Sequence, residues 1–145
     1  MDKNILLSVI IPAYNRVAFL ETTVNCLIKQ IVNGKLENIV EIVVSSDASA
    51  DGTPEYVDSI NSKYSFIRGF NQPKNLGVAK NIDFLVNVAL GEYILLCGED
   101  DLLRDGALEY FINCIRTEKP NFIINNLTNI ISTDIISDKI YKHSG

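Results

Sequence analysis

Residues 98–101 read Gly-Glu-Asp-Asp, so Glu99, Asp100 and Asp101 stand side by side between the apolar run ending at Cys97 and the pair Leu102-Leu103. Three adjacent carboxylates repel one another, and a hard divalent cation with oxygen ligands relieves that repulsion. Mg²⁺ or Mn²⁺ is commonly held by one or two carboxylates and completes its shell with water and substrate phosphates. A diphosphate is therefore the natural second partner. The plainer reading is that these acids, with Asp105, open the next helix, where negative charge gains roughly 0.3–1 kcal/mol per residue from the dipole.

Three further stretches could join them. Ser46-Asp47-Ala48-Ser49-Ala50-Asp51-Gly52-Thr53 is a polar turn in which Asp47 can accept a hydrogen bond from a base N–H or a ribose hydroxyl. Asp, Gly and small residues would equally supply an ordinary turn. Pro12-Ala13-Tyr14-Asn15 could present Tyr14 or nearby backbone to a flat base, or simply turn the chain with Asn15 as a helix cap. Asn75-Leu76-Gly77 precedes Lys80-Asn81 and reads either as a loop and helix start or as a place where Lys80 neutralises phosphate.

The elements that must carry these loops alternate along the chain. Leu6–Ile11 is an apolar run closed by Pro12, as in a buried strand. Phe19, Leu20, Val24, Leu27, Ile28 and Ile31 recur at three-four spacing and predict an amphipathic helix. A second strand is expected over 39–46, then a short helix with Thr53 as N-cap and Pro54 at its first position. A third strand is expected over 66–70. Val78, Ile82, Leu85, Val86 and Ala89 mark a helix stopped by Gly91. The run 92–97 reads as a strand apolar on both faces, 108–115 as a helix ending before Pro120, and 121–125 as a fifth strand. The isoleucines of 127–141 follow no clear period.

Such alternation predicts an α/β fold, a three-layer, mainly parallel sheet. Right-handed crossovers bring the loops after the first, second and fourth strands to one edge, where open α/β sheets bind ligands.

Composition bounds the rest. The 145 residues fit a single domain over 1–145 and are long enough to bury a core. A net charge of −5 argues against a nucleic-acid partner. No apolar run approaches the roughly 20 residues of a transmembrane helix, and the N-terminus lacks the features of a secretory signal. Cys26, Cys97 and Cys114 match neither a disulfide framework nor zinc spacing and read as buried free thiols in a reducing cytoplasm. The only histidine is His143, so chemistry must come mainly from carboxylates and backbone.

SVIIPAYNR, EIVVSSDASADGT, NLGVAKN and ALGEYILLCGEDDLL, in this order and spacing, resemble the signatures of family-two glycosyltransferases of the GT-A, Rossmann-like fold, from about Ser8 to Ala107. The resemblance implies that Pro12, Ala13, Tyr14, Asn15 and Asp47 hold the nucleotide, with Lys80 near phosphate. It implies that Asp100, assisted by Glu99 or Asp101, holds Mn²⁺ or Mg²⁺. The donor would be a nucleotide-diphospho-sugar and the acceptor a saccharide or lipid-linked saccharide, with inversion at the anomeric carbon.

Ser46 and Ala48 replace the first Asp and the Gly of the common second-loop motif, Gly98 replaces an Asp, and Lys80 stands where arginine is usual. The serine before Asp47 and the glycine before the acids are similar to the abequosyltransferase-like subgroup, which implies bacterial cell-surface polysaccharide or lipopolysaccharide synthesis. The location implied is cytoplasmic, with the inner face of the membrane as an alternative. The family's catalytic base lies in an acceptor-binding half beyond this chain, so a domain incomplete at its C-terminus is expected; Glu109, Glu118, Asp134 and Asp138 match no base motif. A non-catalytic nucleotide-sugar or metal binding module stays open. A phospho-acceptor domain would need an acidic pair after the first strand, a dinucleotide site G-x-G-x-x-G, and a nucleotidyltransferase a Gly-rich basic loop near the N-terminus.

Overall fold

A computed structural model describes residues 4–121. The elements are β1 (Leu7–Ala13), α1 (Val17–Asn33), β2 (Val40–Ser46), α2 (Thr53–Lys63), β3 (Ile67–Asn71), α3 (Val78–Val88), β4 (Tyr93–Leu96) and α4 (Ala107–Glu118). The chain separates into units of residues 1–112 and 113–145. The strand expected over 121–125 lies, except for Asn121, outside the described residues, as do the tail over 127–141, Asp134, Asp138 and His143.

The four strands form one sheet in the order β3-β2-β1-β4, all parallel. Val9, Ile10, Ile11, Ile42, Val43 and Val44 are all at most 1% exposed, as hydrophobic strands covered on both faces must be. Ile10 and Val43 face α3, where Leu85 meets them with Ile82, Phe84 and Val88 packed around. Leu20, Val24, Leu27 and Ile31 make the buried stripe of α1, and Val57 and Ile60 that of α2. Gly69 lets α2 approach β3, since a Cβ there would lie 2.6 Å from the Val57 side chain.

At the amino ends of the strands a buried carboxylate holds the α3–β4 connection. Glu41 Oε1 accepts from Ser8 Oγ at 2.6 Å and from the Leu90 N–H at 2.8 Å, while Oε2 accepts from Arg68 Nη1 at 3.1 Å. The same guanidinium donates to the Val88 carbonyl, and the Gly91 N–H donates to Ser8 Oγ.

Several expectations are corrected here. β4 is not buried on both faces: it has one strand neighbour among the described residues, and Ile94 and Leu96 are 42% and 53% exposed. Phe19, Val78 and Val86, assigned to apolar helix faces, are exposed. Thr53 is the first helical residue of α2 rather than its cap, with Gly52 preceding it and Pro54 following. The stop of α3 is the extended Ala89, and Gly91 is instead demanded by contact, because a Cβ there would lie 2.5 Å from the Ser8 nitrogen.

Candidate functional site

Register decides what reaches the carboxyl edge. Ala13 pairs with Ser46, so β1 and β2 end level, and the Asp47 N–H then bonds the Ala13 carbonyl at 2.9 Å. β4 ends earlier, with Leu96 beside Ile10, so Gly98–Asp101 passes alongside the end of β1. The loop after β1 thus sits between the other two and bonds to both.

Toward the second loop, Asn15 adopts φ +53°, and its side-chain oxygen accepts from the Ala50 N–H at 2.7 Å. Its own N–H donates to Ser49 Oγ. Asn15 is therefore a strap between loops, and Arg16 takes the position before α1 with no side-chain cap. Capping comes from across the cleft: Asp51 Oδ2 accepts the Val17 N–H and Oδ1 the Thr53 N–H, each at 3.0 Å. One carboxylate thereby serves the first turns of both α1 and α2. The Thr53 side chain, whose buried hydroxyl stays outside good hydrogen-bond geometry, is the first influence holding the Asp51 carboxyl below its ordinary 3.8; burial opposes it, and the two N–H groups reinforce it.

Toward the acidic loop, the Tyr14 N–H donates to Glu99 Oε2 at 2.9 Å, and Arg16 Nη1 pairs with Asp100 Oδ2 at 2.9 Å. Burial raises the Glu99 carboxyl above its usual range, helped by Asp100 and Asp51 and opposed by the Tyr14 N–H and Arg16. Asp101 folds back, accepting the Gly98 N–H at 2.8 Å. Gly98 leaves room for that carboxylate, since a Cβ there would lie 2.7 Å from Asp101 Oδ2. The neighbouring Cys97 thiol is pushed up to about 12, first by burial and then by Asp101, Cys26 and Asp100. It is a neutral group at physiological pH. All three cysteines are free; Cys97 is buried, while Cys26 and Cys114 are half-buried rather than buried as expected.

Asp47 is 3% exposed, and its two oxygens accept the Leu76 N–H at 2.6 Å and the Gly77 N–H at 3.0 Å. It thus clamps the loop before α3, and Gly77, at φ +84° and ψ 156°, occupies backbone space open essentially to glycine alone. Beneath it, Asn81 accepts from Ser45 Oγ at 2.6 Å and donates to the Ser45 carbonyl, while Gln72 donates to the same hydroxyl. Lys80 is exposed in the first turn of α3 and makes no ion pair among the described residues. Tyr14 is half-exposed beside the buried Ala13.

The structure therefore brings Pro12–Asn15, Asp47 and Glu99–Asp101 to one edge. It does not gather Glu99, Asp100 and Asp101 into a cage: each has a different partner, and among the described residues no three metal-ligating side chains converge. A cation at this edge would therefore have to be held by a single carboxylate, for which the exposed Asp100 is the available one, with other ligands supplying the rest of its shell. Sequence reasoning missed Arg16, Ser49 and Asp51, whose roles depend on loops 34 or more residues apart, although PAYNR and SDASADGT contain them.

The family model for glycosyl transferase family 2 matches residues 8–137. The abequosyltransferase RfbV of Salmonella typhimurium is 36% identical over 104 residues, 71% of this chain and 30% of that protein. The GalNAc(5)-diNAcBac-PP-undecaprenol beta-1,3-glucosyltransferase of Campylobacter jejuni is 36% identical over 103 residues, 70% of this chain and 32% of its own length. The S. aureus TarS 1–349 structure superposes with a TM-score of 0.77 at 22% identity, over 92% of this chain and 39% of that one. Its complex with UDP-GlcNAc superposes at 0.71 with 26% identity, over 79% and 32%. The chain thus spans less than half the length of each of these proteins, and its sheet is that of the GT-A fold.

Proposed function

Because the chain belongs to glycosyl transferase family 2, we propose that its carboxyl edge binds a nucleotide-diphospho-sugar whose sugar passes to an acceptor hydroxyl in bacterial cell-surface polysaccharide or lipopolysaccharide synthesis. The observation that carries this reading is the β1–α1 loop bonded on one side to Ser49, Ala50 and Asp51 and on the other to Glu99 and Asp100. That bridge makes one surface of what would otherwise be separate turns. The UDP-GlcNAc held by TarS and the names of the Salmonella and Campylobacter relatives support the donor class and the saccharide or lipid-linked acceptor.

In this reading Tyr14 and the backbone of Pro12–Asn15 pack on the base. Asp47 keeps lone pairs beyond those taken by Leu76 and Gly77, and these accept from the base or ribose. Arg16 and Lys80 supply positive charge near the diphosphate. Asp100 would hold Mn²⁺ or Mg²⁺, with Glu99 close by, and Arg16, now paired with Asp100, would be available to phosphate. When bound, the cation stabilises charge growing on the leaving diphosphate. Inversion requires a carboxylate to take the acceptor hydroxyl's proton. Glu109 and Glu118 match no such role, so the base is assigned outside the described residues.

The test is a thermal-shift panel of UDP, GDP, CDP and dTDP, each with and without Mn²⁺. One nucleotide should raise the melting temperature in a metal-dependent way, and Asp100→Ala should abolish the metal increment. No shift with any nucleotide would overturn the reading. Sugar transfer or donor hydrolysis by the purified chain would count against the alternative, a non-catalytic binding module.

A further inference from the structure

The buried face of α1 is apolar except for one stripe. Thr23, Cys26 and Gln30, at i, i+3 and i+7, share a helix face, and Thr23 and Gln30 are 1% and 8% exposed. Among the described residues none of the three hydrogen-bonds a candidate ligand-binding side chain. All three bond to the backbone of the acidic loop. Thr23 Oγ1 donates to the Glu99 carbonyl at 2.8 Å, and Cys26 Sγ donates to the Leu103 carbonyl at 3.2 Å. Gln30 Nε2 donates to the Leu103 and Arg104 carbonyls at 3.1 and 2.9 Å, and its Oε1 accepts the Leu108 N–H at 3.1 Å. Both polar atoms of the buried Gln30 side chain thus hold residues 103–108, with Nε2 also 3.7 Å from Cys26 Sγ, while Thr23 holds Glu99.

We infer that Thr23 and Gln30 are positioning residues: α1 works as a ruler that sets the height of the acidic loop and so places Asp100 against the diphosphate. Two rigid points define the loop's course. The β1–α1 loop meets its side chains, Tyr14 bonding Glu99 and Arg16 bonding Asp100, and the stripe along α1 holds its backbone. An apolar stripe would pack as well against the core but would take these partners from the Glu99 and Leu103 carbonyls and the Leu108 N–H, the Arg104 carbonyl keeping the Ala107 N–H, so the loop would move outward to water. The functional consequence rests on the proposed metal-dependent donor site; the positioning itself does not.

The experiment uses near-isosteric variants of the full chain, Thr23→Val and Gln30→Met, with Thr23→Ser as the conservative control. Amide hydrogen exchange reads the loop directly. Faster exchange over residues 98–108 with unchanged exchange in β1 and β2 is expected for Thr23→Val and Gln30→Met, and wild-type exchange for Thr23→Ser. For whichever nucleotide the wild type binds, the Mn²⁺-dependent gain in affinity should fall about tenfold in the first two variants, the size typical of losing groups that orient a metal ligand. Metal-free nucleotide affinity should stay as in the wild type. A purely structural role would lower both affinities together with the melting temperature. Unchanged exchange over 98–108, or an undiminished metal increment, overturns the inference. If the wild type shows no metal-dependent binding, the donor-site reading fails, and loop exchange still decides whether Thr23 and Gln30 position the loop.

Discussion

Glu41 and Asp100 stand at opposite ends of the sheet and show two uses of a carboxylate. Glu41 is 3% exposed and satisfied by a serine hydroxyl, a backbone N–H and a guanidinium, so it holds the α3–β4 connection against the amino ends of β1 and β2. Asp100 is half-exposed and has one ion-pair partner, itself half-exposed. A buried acid with all its bonds made belongs to the architecture. An exposed acid with a single replaceable partner can accept a ligand at little cost, because surface ion pairs contribute only about 0–1 kcal/mol.

Substitutions should separate the two ends. Glu41→Ala leaves the Arg68 guanidinium, Ser8 Oγ and the Leu90 N–H without their acceptor; chemical denaturation should show a loss of about 3 kcal/mol. Asp47→Ala should cost about 1.5 kcal/mol, from the half-buried Leu76 N–H it strands while the Gly77 N–H keeps the Asn75 side-chain oxygen, and should also weaken nucleotide binding. Asp47 thus sharpens the contrast, being a proposed site residue whose carboxylate is buried and bonded much as that of Glu41 is. Ala48 adopts φ +56°, a left-handed conformation unfavourable for alanine by roughly 1–2 kcal/mol, partly offset by the greater freedom of unfolded glycine. Ala48→Gly should therefore stabilise by about 0.5 kcal/mol in the same measurement. Asp100→Ala should change stability by less than about 0.5 kcal/mol; a loss as large as that of Glu41→Ala would erase the distinction.

The smallest effect concerns acid. The folded Asp51 carboxyl lies below its ordinary 3.8, so its contribution is fully present above that value and disappears as pH falls through the folded value. Melting temperatures between pH 5 and pH 3 should fall less steeply for Asp51→Asn than for the wild type. Glu99 has the opposite sign: its raised value makes its ionised form a cost above the ordinary 4.5.

Much of this organisation is readable from local pattern. β1, β2, α1, α3 and α4 fall within a residue or two of where apolar periodicity puts them, because burial on a helix or strand repeats at 3.6 or 2 residues. The three loops of the candidate site follow from strand–helix alternation, and the matched motifs carry the family. Local pattern misleads where coverage depends on distant elements. Ile94 and Leu96 read as core, yet β4 has one strand neighbour among the described residues and exposes them; Phe19 keeps helical spacing yet lies outside the buried stripe that Thr23 and Gln30 enter.

The amino-acid order by itself determined the element sequence, the parallel α/β class and which acids arrive at one edge, since each depends on contacts near in the chain or on the handedness of crossovers. Which of those acids are saturated was decided only by tertiary structure. Asp47 meets residues 29 and 30 positions away, Glu99 meets a backbone N–H 85 positions away, and Asp101 meets its own turn. A carboxylate's chemistry is set by the donors that surround it, and no spacing rule in a single sequence specifies donors supplied by another loop.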